Sequence, residues 1–170
     1  MKHAIWIILG CFGLSAMTAL SARFGIYHIV PDFALIVTVF LALRREPVPM
    51  TLAVVALGYF SGSSAMAPTG LHEMGLLFVA LWVYRGSGSF GGSGSFFFGL
   101  LCAGMLCVYH IFLFGMLTLI RGDVGFSSWA TALLLPAASV TGLVATVFYR
   151  PMTWIESWVA PTRQVGLSWR

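Results

Sequence analysis

The sequence predicts an all-α integral membrane protein, with six transmembrane helices in one bundle. Three observations carry that expectation. Of 170 residues, 59% are hydrophobic and 8% are charged, whereas a soluble domain carries about 25% charged residues, so too few polar side chains exist to cover a water-facing surface. The mean hydropathy is +0.96. The apolar residues fall into six runs, separated by arginines or by glycine- and proline-rich breaks. One transmembrane domain over 1–153 and a cytoplasmic tail over 154–170 follow, with no attached soluble module.

The first run, 4–22, has the length that a hydrocarbon core demands, about 20 residues, and Arg23 closes it. Lys2, the apolar stretch and Ala19-Leu20-Ser21 outline a signal-peptide pattern, and Ile8-Leu9-Gly10-Cys11 a lipoprotein-like box. The run continues past both at spanning length, so a retained helix is expected. The second run, 26–43, ends against Arg44-Arg45, and Pro31 either kinks its helix or begins the regular part. The third, 49–65, spans only if Ser61 to Ala65 also lies at membrane depth.

The fourth run, 70–84, ends at Arg85. "RGSGSFGGSGSF" over 85–96 then reads as a flexible linker. Its GxGxxG, Gly86 to Gly91, lacks the preceding strand and βαβ unit that a dinucleotide fingerprint needs. The fifth run, 96–120, is the longest, and the sixth, 129–149, is closed by Arg150-Pro151. Trp6, Trp82, Tyr84, Trp129 and Tyr149 lie near segment ends, as an interfacial aromatic belt requires. The tail carries three tryptophans and two arginines. It reads either as a stretch along the anionic inner surface or as a partly disordered end.

Charge positions give the orientation. With a cytoplasmic N-terminus and six crossings, the inner regions hold Lys2, Arg44, Arg45, Arg85, Arg150, Arg163 and Arg170, and the outer loops only Arg23 and Arg121. This is the positive-inside pattern, with both termini cytoplasmic. The net charge of +4 forms no basic stripe and accompanies no aromatic RNA-binding motif, so no nucleic-acid partner is expected. Cys11, Cys102 and Cys107 lie inside apolar runs without CxxC spacing. They read as buried thiols, and neither a metal nor a cofactor is expected.

Polar groups within apolar runs are costly, which makes His28, Asp32, His72, Glu73 and His110 the candidates for chemistry. Asp32, after Pro31, is expected in the first turn of the second helix as a structural cap. His72 and Glu73 follow the Pro68-Thr69-Gly70 turn in the first turn of the fourth helix. Consecutive helical residues point about 100° apart, so these two do not form an acid–base pair on one face. No HExxH follows, and GYFSG over 58–62 misses the GxSxG elbow by one place. His110 is expected to bond to a neighbouring helix. Gly58 with Gly62, Gly99 with Ala103, and Ala138 with Gly142 have small-xxx-small spacing. Such faces admit close helix approach, within the chain or with a partner's helix.

"PDFALIVTVFLALRR", from Pro31 through Asp32 to Arg44 and Arg45, resembles the second helix of the MreD family of rod-shape-determining membrane proteins. Gly58, Pro68, Gly70, Leu71 and His72 match that family's next signature in order and at compatible spacing. Gly62 stands where the family usually has an aspartate, Thr69 replaces a leucine, and Glu73 replaces an apolar residue. Glu73 is the carboxylate that could stand in for the missing aspartate. The resemblance implies a non-enzymatic scaffold subunit of the cell-wall elongation machinery. Its partner would be an MreC-like single-pass protein, with an MreB-like cytoskeleton and a RodA–transpeptidase pair as further members. It also implies a fold similar to the six-helix substrate-binding subunits of energy-coupling-factor transporters. A vitamin-binding transporter subunit is therefore the second reading, and an intramembrane enzyme using Asp32, His72 and Glu73 the third.

Overall fold

The computed structural model describes residues 2–24, 30–44, 47–64, 68, 70–87, 94–121 and 128–159. They form six α-helices and no strand: α1 (Lys2–Phe24), α2 (Phe33–Arg44), α3 (Pro47–Ser64), α4 (Leu71–Gly86), α5 (Ser95–Arg121) and α6 (Ser128–Val159). His28, Arg45, Thr69, Arg163 and Arg170 lie outside the described residues, as does most of the glycine–serine linker.

The shortest helix occupies the centre. Every residue of α2 from Phe33 to Ala42 is buried, and α2 touches each of the other five helices. A helix that is apolar all round has no face to give to solvent, and its sequence, FALIVTVFLALR, leaves only the closing arginine polar apart from Thr38. α1 runs antiparallel to it: Trp6 packs on Phe40, ring centroids 5.1 Å apart, while Gly13 lies against Phe33.

α5 and α6 form the tightest pair. A Cβ added at Gly99 would sit 2.5 Å from the Gly142 carbonyl oxygen and collide with the Thr146 hydroxyl. One added at Gly142 would stand 3.1 Å from the Ala103 Cβ. These two backbones can touch only because neither carries a side chain there.

At one end of the bundle, Phe40, Phe98 and Tyr149 pack as an aromatic cluster. Below it Arg44 closes α2. Its guanidinium lies 3.3 Å from the Glu156 carboxylate, donates to the Tyr149 hydroxyl at 3.1 Å and sits 5.7 Å above the Phe40 ring. These contacts correct the expected end of the sixth helix. Arg150-Pro151 does not stop it; α6 continues to Val159 with both Pro136 and Pro151 inside. Proline removes one helical N–H and crowds a carbonyl, but Met152 is buried and Glu156 is bound to Arg44, so tertiary contacts hold the next turns in place. Residues 154–159, assigned to the tail by sequence, are helical.

Helix lengths differ more than the apolar runs suggest. Among the described helices, α5 alone is long and apolar enough to cross a membrane, over Ser95–Ile120 with mean hydropathy 2.1. α2 and α4 have 12 and 16 residues. They therefore reach about 18 and 24 Å at 1.5 Å per residue, short of a hydrocarbon core of about 30 Å. For the second run, a kink at Pro31 and a regular part beginning there were the two expectations; the regular helix starts at Phe33, just after Pro31-Asp32, and 26–29 lie outside the described residues.

Candidate functional site

The candidate polar residues gather where α2 and α4 begin. Pro31-Asp32 precedes α2 with Asp32 just outside the helix, as its N-cap. The Leu35 N–H donates to Asp32 Oδ1 at 3.0 Å, and the Ile36 N–H to the Asp32 carbonyl at 3.1 Å. The side chain thus satisfies one of the unpaired amides of the first turn. The Asp32 N–H donates to the Thr141 hydroxyl, 3.3 Å away near the middle of α6. The expected structural cap is therefore present, one position earlier than a first-turn residue.

α4 begins on a different device. Gly70 has φ +93°, a left-handed conformation that suits glycine. Its carbonyl accepts the Met74 N–H at 3.0 Å, and the Pro68 carbonyl accepts the Leu71 N–H at 3.3 Å. The next residues, Leu71, His72 and Glu73, then diverge as the helical turn dictates. Leu71 is buried. His72 Nδ1 and the Tyr109 hydroxyl share a hydrogen bond across to the middle of α5, the hydroxyl donating when Nδ1 is unprotonated. Glu73 turns toward α3, where its Cα would lie 2.6 Å from a Cβ on Gly58. Its Oε2 is buried with no hydrogen-bond partner among the described residues.

Gly58 and Gly62, one turn apart on α3, thus do different work. Gly58 admits the backbone of α4 at Glu73, whereas a Cβ at Gly62 would make ordinary contact with His72, 3.5 Å from its Cβ. A carboxylate at position 62 would face His72; Glu73 lies instead beside Gly58, so the two positions are not equivalent. All six small residues singled out from spacing sit against this chain's own helices: Gly58 and Gly62 on α4, Gly99 with Ala103 on α6, and Gly142 on α5, while Ala138 is buried in the core.

The rings of His72 and Tyr109 lie 6.1 Å apart and those of Tyr109 and His110 5.4 Å apart, centroid to centroid. Among the described residues, the hydrogen bonds of Asp32, His72 and His110 do not converge on one point. The Asp32 carboxylate is engaged by its own helix, His72 by Tyr109, and His110 Nδ1 lies 3.0 Å from the Leu106 carbonyl one turn earlier on α5. His110 was expected to bond to a neighbouring helix; its ring turns back on its own, where the carbonyl lies within reach of Nδ1–H. No group of three or more metal-ligating side chains is present among the described residues. What this cluster does chemically is position α2 and α4 against the middles of α5 and α6. Tyr109 is the member that sequence reasoning missed, since an aromatic in a long apolar run carries no mark of a polar partner 37 positions away.

Compared with protein-family models, with curated proteins and with solved structures, the chain matches none.

Proposed function

We propose that this chain is a six-span inner-membrane scaffold of the MreD type. It would serve the bacterial cell-wall elongation machinery by binding, without chemistry of its own, the helix of an MreC-like single-pass partner. The observation that carries the reading is the outward face of α5. Leu100 and Ile111 are exposed there, and Gly104 and Gly115 have open space where a Cβ would point. Positions 100, 104, 111 and 115 fall on one side of a helix. A mid-helix glycine costs up to about 1 kcal/mol relative to alanine, and these two have no packing partner among the described residues to justify it. A second helix approaching closely would use both.

Other features support the membrane setting. Large apolar side chains point outward on every helix except the buried α2, among them Phe12, Leu52, Leu81, Leu119 and Leu143, as a lipid-facing surface requires. Arg44 and Glu156, at the end assigned to the cytoplasm by positive charge, meet in one ion pair, which agrees with α2 and α6 running in the same direction. The transporter reading ranks second because Asp32, His72 and Tyr109 are engaged with helix ends and with each other instead of converging on a cavity.

The test is co-purification of the full-length chain with an MreC-like single-pass, coiled-coil protein of the same bacterium. Replacing both Gly104 and Gly115 by leucine is expected to abolish recovery of the partner while the protein stays folded in detergent. Undiminished recovery with the double variant, or failure of any such protein to co-purify with the parent chain, would overturn the reading.

A further inference from the structure

The last turns of α6 have two unlike faces. Met152, Ile155 and Glu156 turn inward: Met152 is buried, Ile155 packs on the core and Glu156 binds Arg44. Arg150, Trp154 and Trp158 turn outward. Trp154 is 64% exposed and Trp158 73%, and their rings meet edge to face at 5.4 Å. Upstream on the same stripe stand Leu143 and Val147, 69% and 70% exposed. At steps of three and four residues these positions form one continuous ridge. It passes from aliphatic, through one arginine, to two tryptophans.

That order matches the depth profile of a bilayer, from hydrocarbon through phosphate to headgroup. An arginine just past an aliphatic stretch extends its guanidinium to the phosphate layer, and exposed indoles settle at headgroup depth, where the ring is apolar and the N–H still finds an acceptor. The charge also fits. After Asp123 the only acidic side chain is Glu156, already paired with Arg44, while Arg163 and Arg170 follow in the remaining sequence. This end of the chain therefore presents cations and indoles without an exposed carboxylate side chain on the ridge.

We infer that the outward face of α6 from Arg150 to Trp158 is an anchor for anionic phospholipid headgroups of the inner leaflet. The inference rests on the membrane reading above, and goes beyond it by naming the surface and the class of lipid. Arg150 holds the lipid phosphate, and the two tryptophans fix the depth of α6, so that the Arg44–Glu156 bridge transmits that depth to the central helix α2.

The full-length protein is placed in nanodiscs of phosphatidylcholine alone or with phosphatidylglycerol, with headgroup-proximal bromines on one lipid or the other. Tryptophan emission is then read. Brominated phosphatidylglycerol is expected to quench more strongly than brominated phosphatidylcholine. Trp154→Phe/Trp158→Phe removes two of six tryptophans and should take away roughly a third or more of the quenching, because both lie at headgroup depth. Arg150→Gln should erase the preference for phosphatidylglycerol and leave phosphatidylcholine quenching unchanged. Both substitutions are at exposed positions, and circular dichroism checks that helicity is retained.

If the pair is quenched by aqueous iodide and not by bromine, the anchor does not exist, although the protein is still membrane-embedded. If both brominated lipids quench equally and Arg150→Gln changes nothing, the anionic selectivity falls. A chain that never enters the nanodisc refutes the membrane reading itself, and the anchor with it.

Discussion

The two sides of α5 use the same residue to opposite ends. On the inner side, Gly99 brings α5 against the Gly142 carbonyl and the Thr146 side chain of α6. Around the helix, Gly104 and Gly115 meet nothing within 4 Å. Spacing rules pick out Gly99 with Ala103 and pass over Gly104, yet the outward pair is the one that meets no other helix among the described residues. Small-residue spacing thus reports that close approach is possible and says nothing about which surface receives it. The receiving surface is set by where the rest of the chain packs.

Substitutions that fill each glycine give the sharpest test of that contrast. Gly99→Val should be the most damaging, about 3 kcal/mol or more, because its branched side chain must displace the backbone of α6 and not a flexible tip. Unfolding in mixed detergent micelles, followed by circular dichroism, measures the loss. Gly58→Ala comes next, at about 1–3 kcal/mol, since the obstacle is again backbone, here at Glu73. Asp32→Ala should cost about 1 kcal/mol through loss of the cap, with Asp32→Asn retaining most of it. Tyr109→Phe follows at roughly 0.5–1 kcal/mol, the worth of one interhelical hydrogen bond, and should shift the His72 ring resonances in NMR spectra of labelled protein. Gly104→Ala and Gly115→Ala should change stability least, by less than about 1 kcal/mol and in the stabilising direction. A large loss at Gly104 would erase the distinction between the two sides of α5.

The local devices were legible because each depends on neighbours in sequence. Pro-Asp before an apolar run marks a capped helix start, and Asp32 caps α2. Pro68 and Gly70 mark a turn, and Gly70 adopts the left-handed conformation that only glycine takes easily. The helix ends of α1, α3, α4 and α5 fall within two residues of the apolar runs. The end of α6 was not legible. Arg150-Pro151 has the form of a stop, and what overrides it is an ion pair to Arg44 and the burial of Met152. The partner of His72 was hidden for the same reason.

Composition and periodicity by themselves determined an all-α chain of six apolar helices, the positions of its caps and turns, and an asymmetric distribution of arginine. Those properties arise from hydrogen bonding within single turns and from the cost of exposing apolar surface, both of which act along a short stretch of chain. Tertiary structure alone decided that α2 is the hub, that Gly58 and Gly99 are spent inside while Gly104 and Gly115 face outward, that His72 meets Tyr109, and that α6 runs on past Pro151. Each of these depends on close contact between helices far apart in sequence, where a difference of one methyl group or one charge decides which face turns inward.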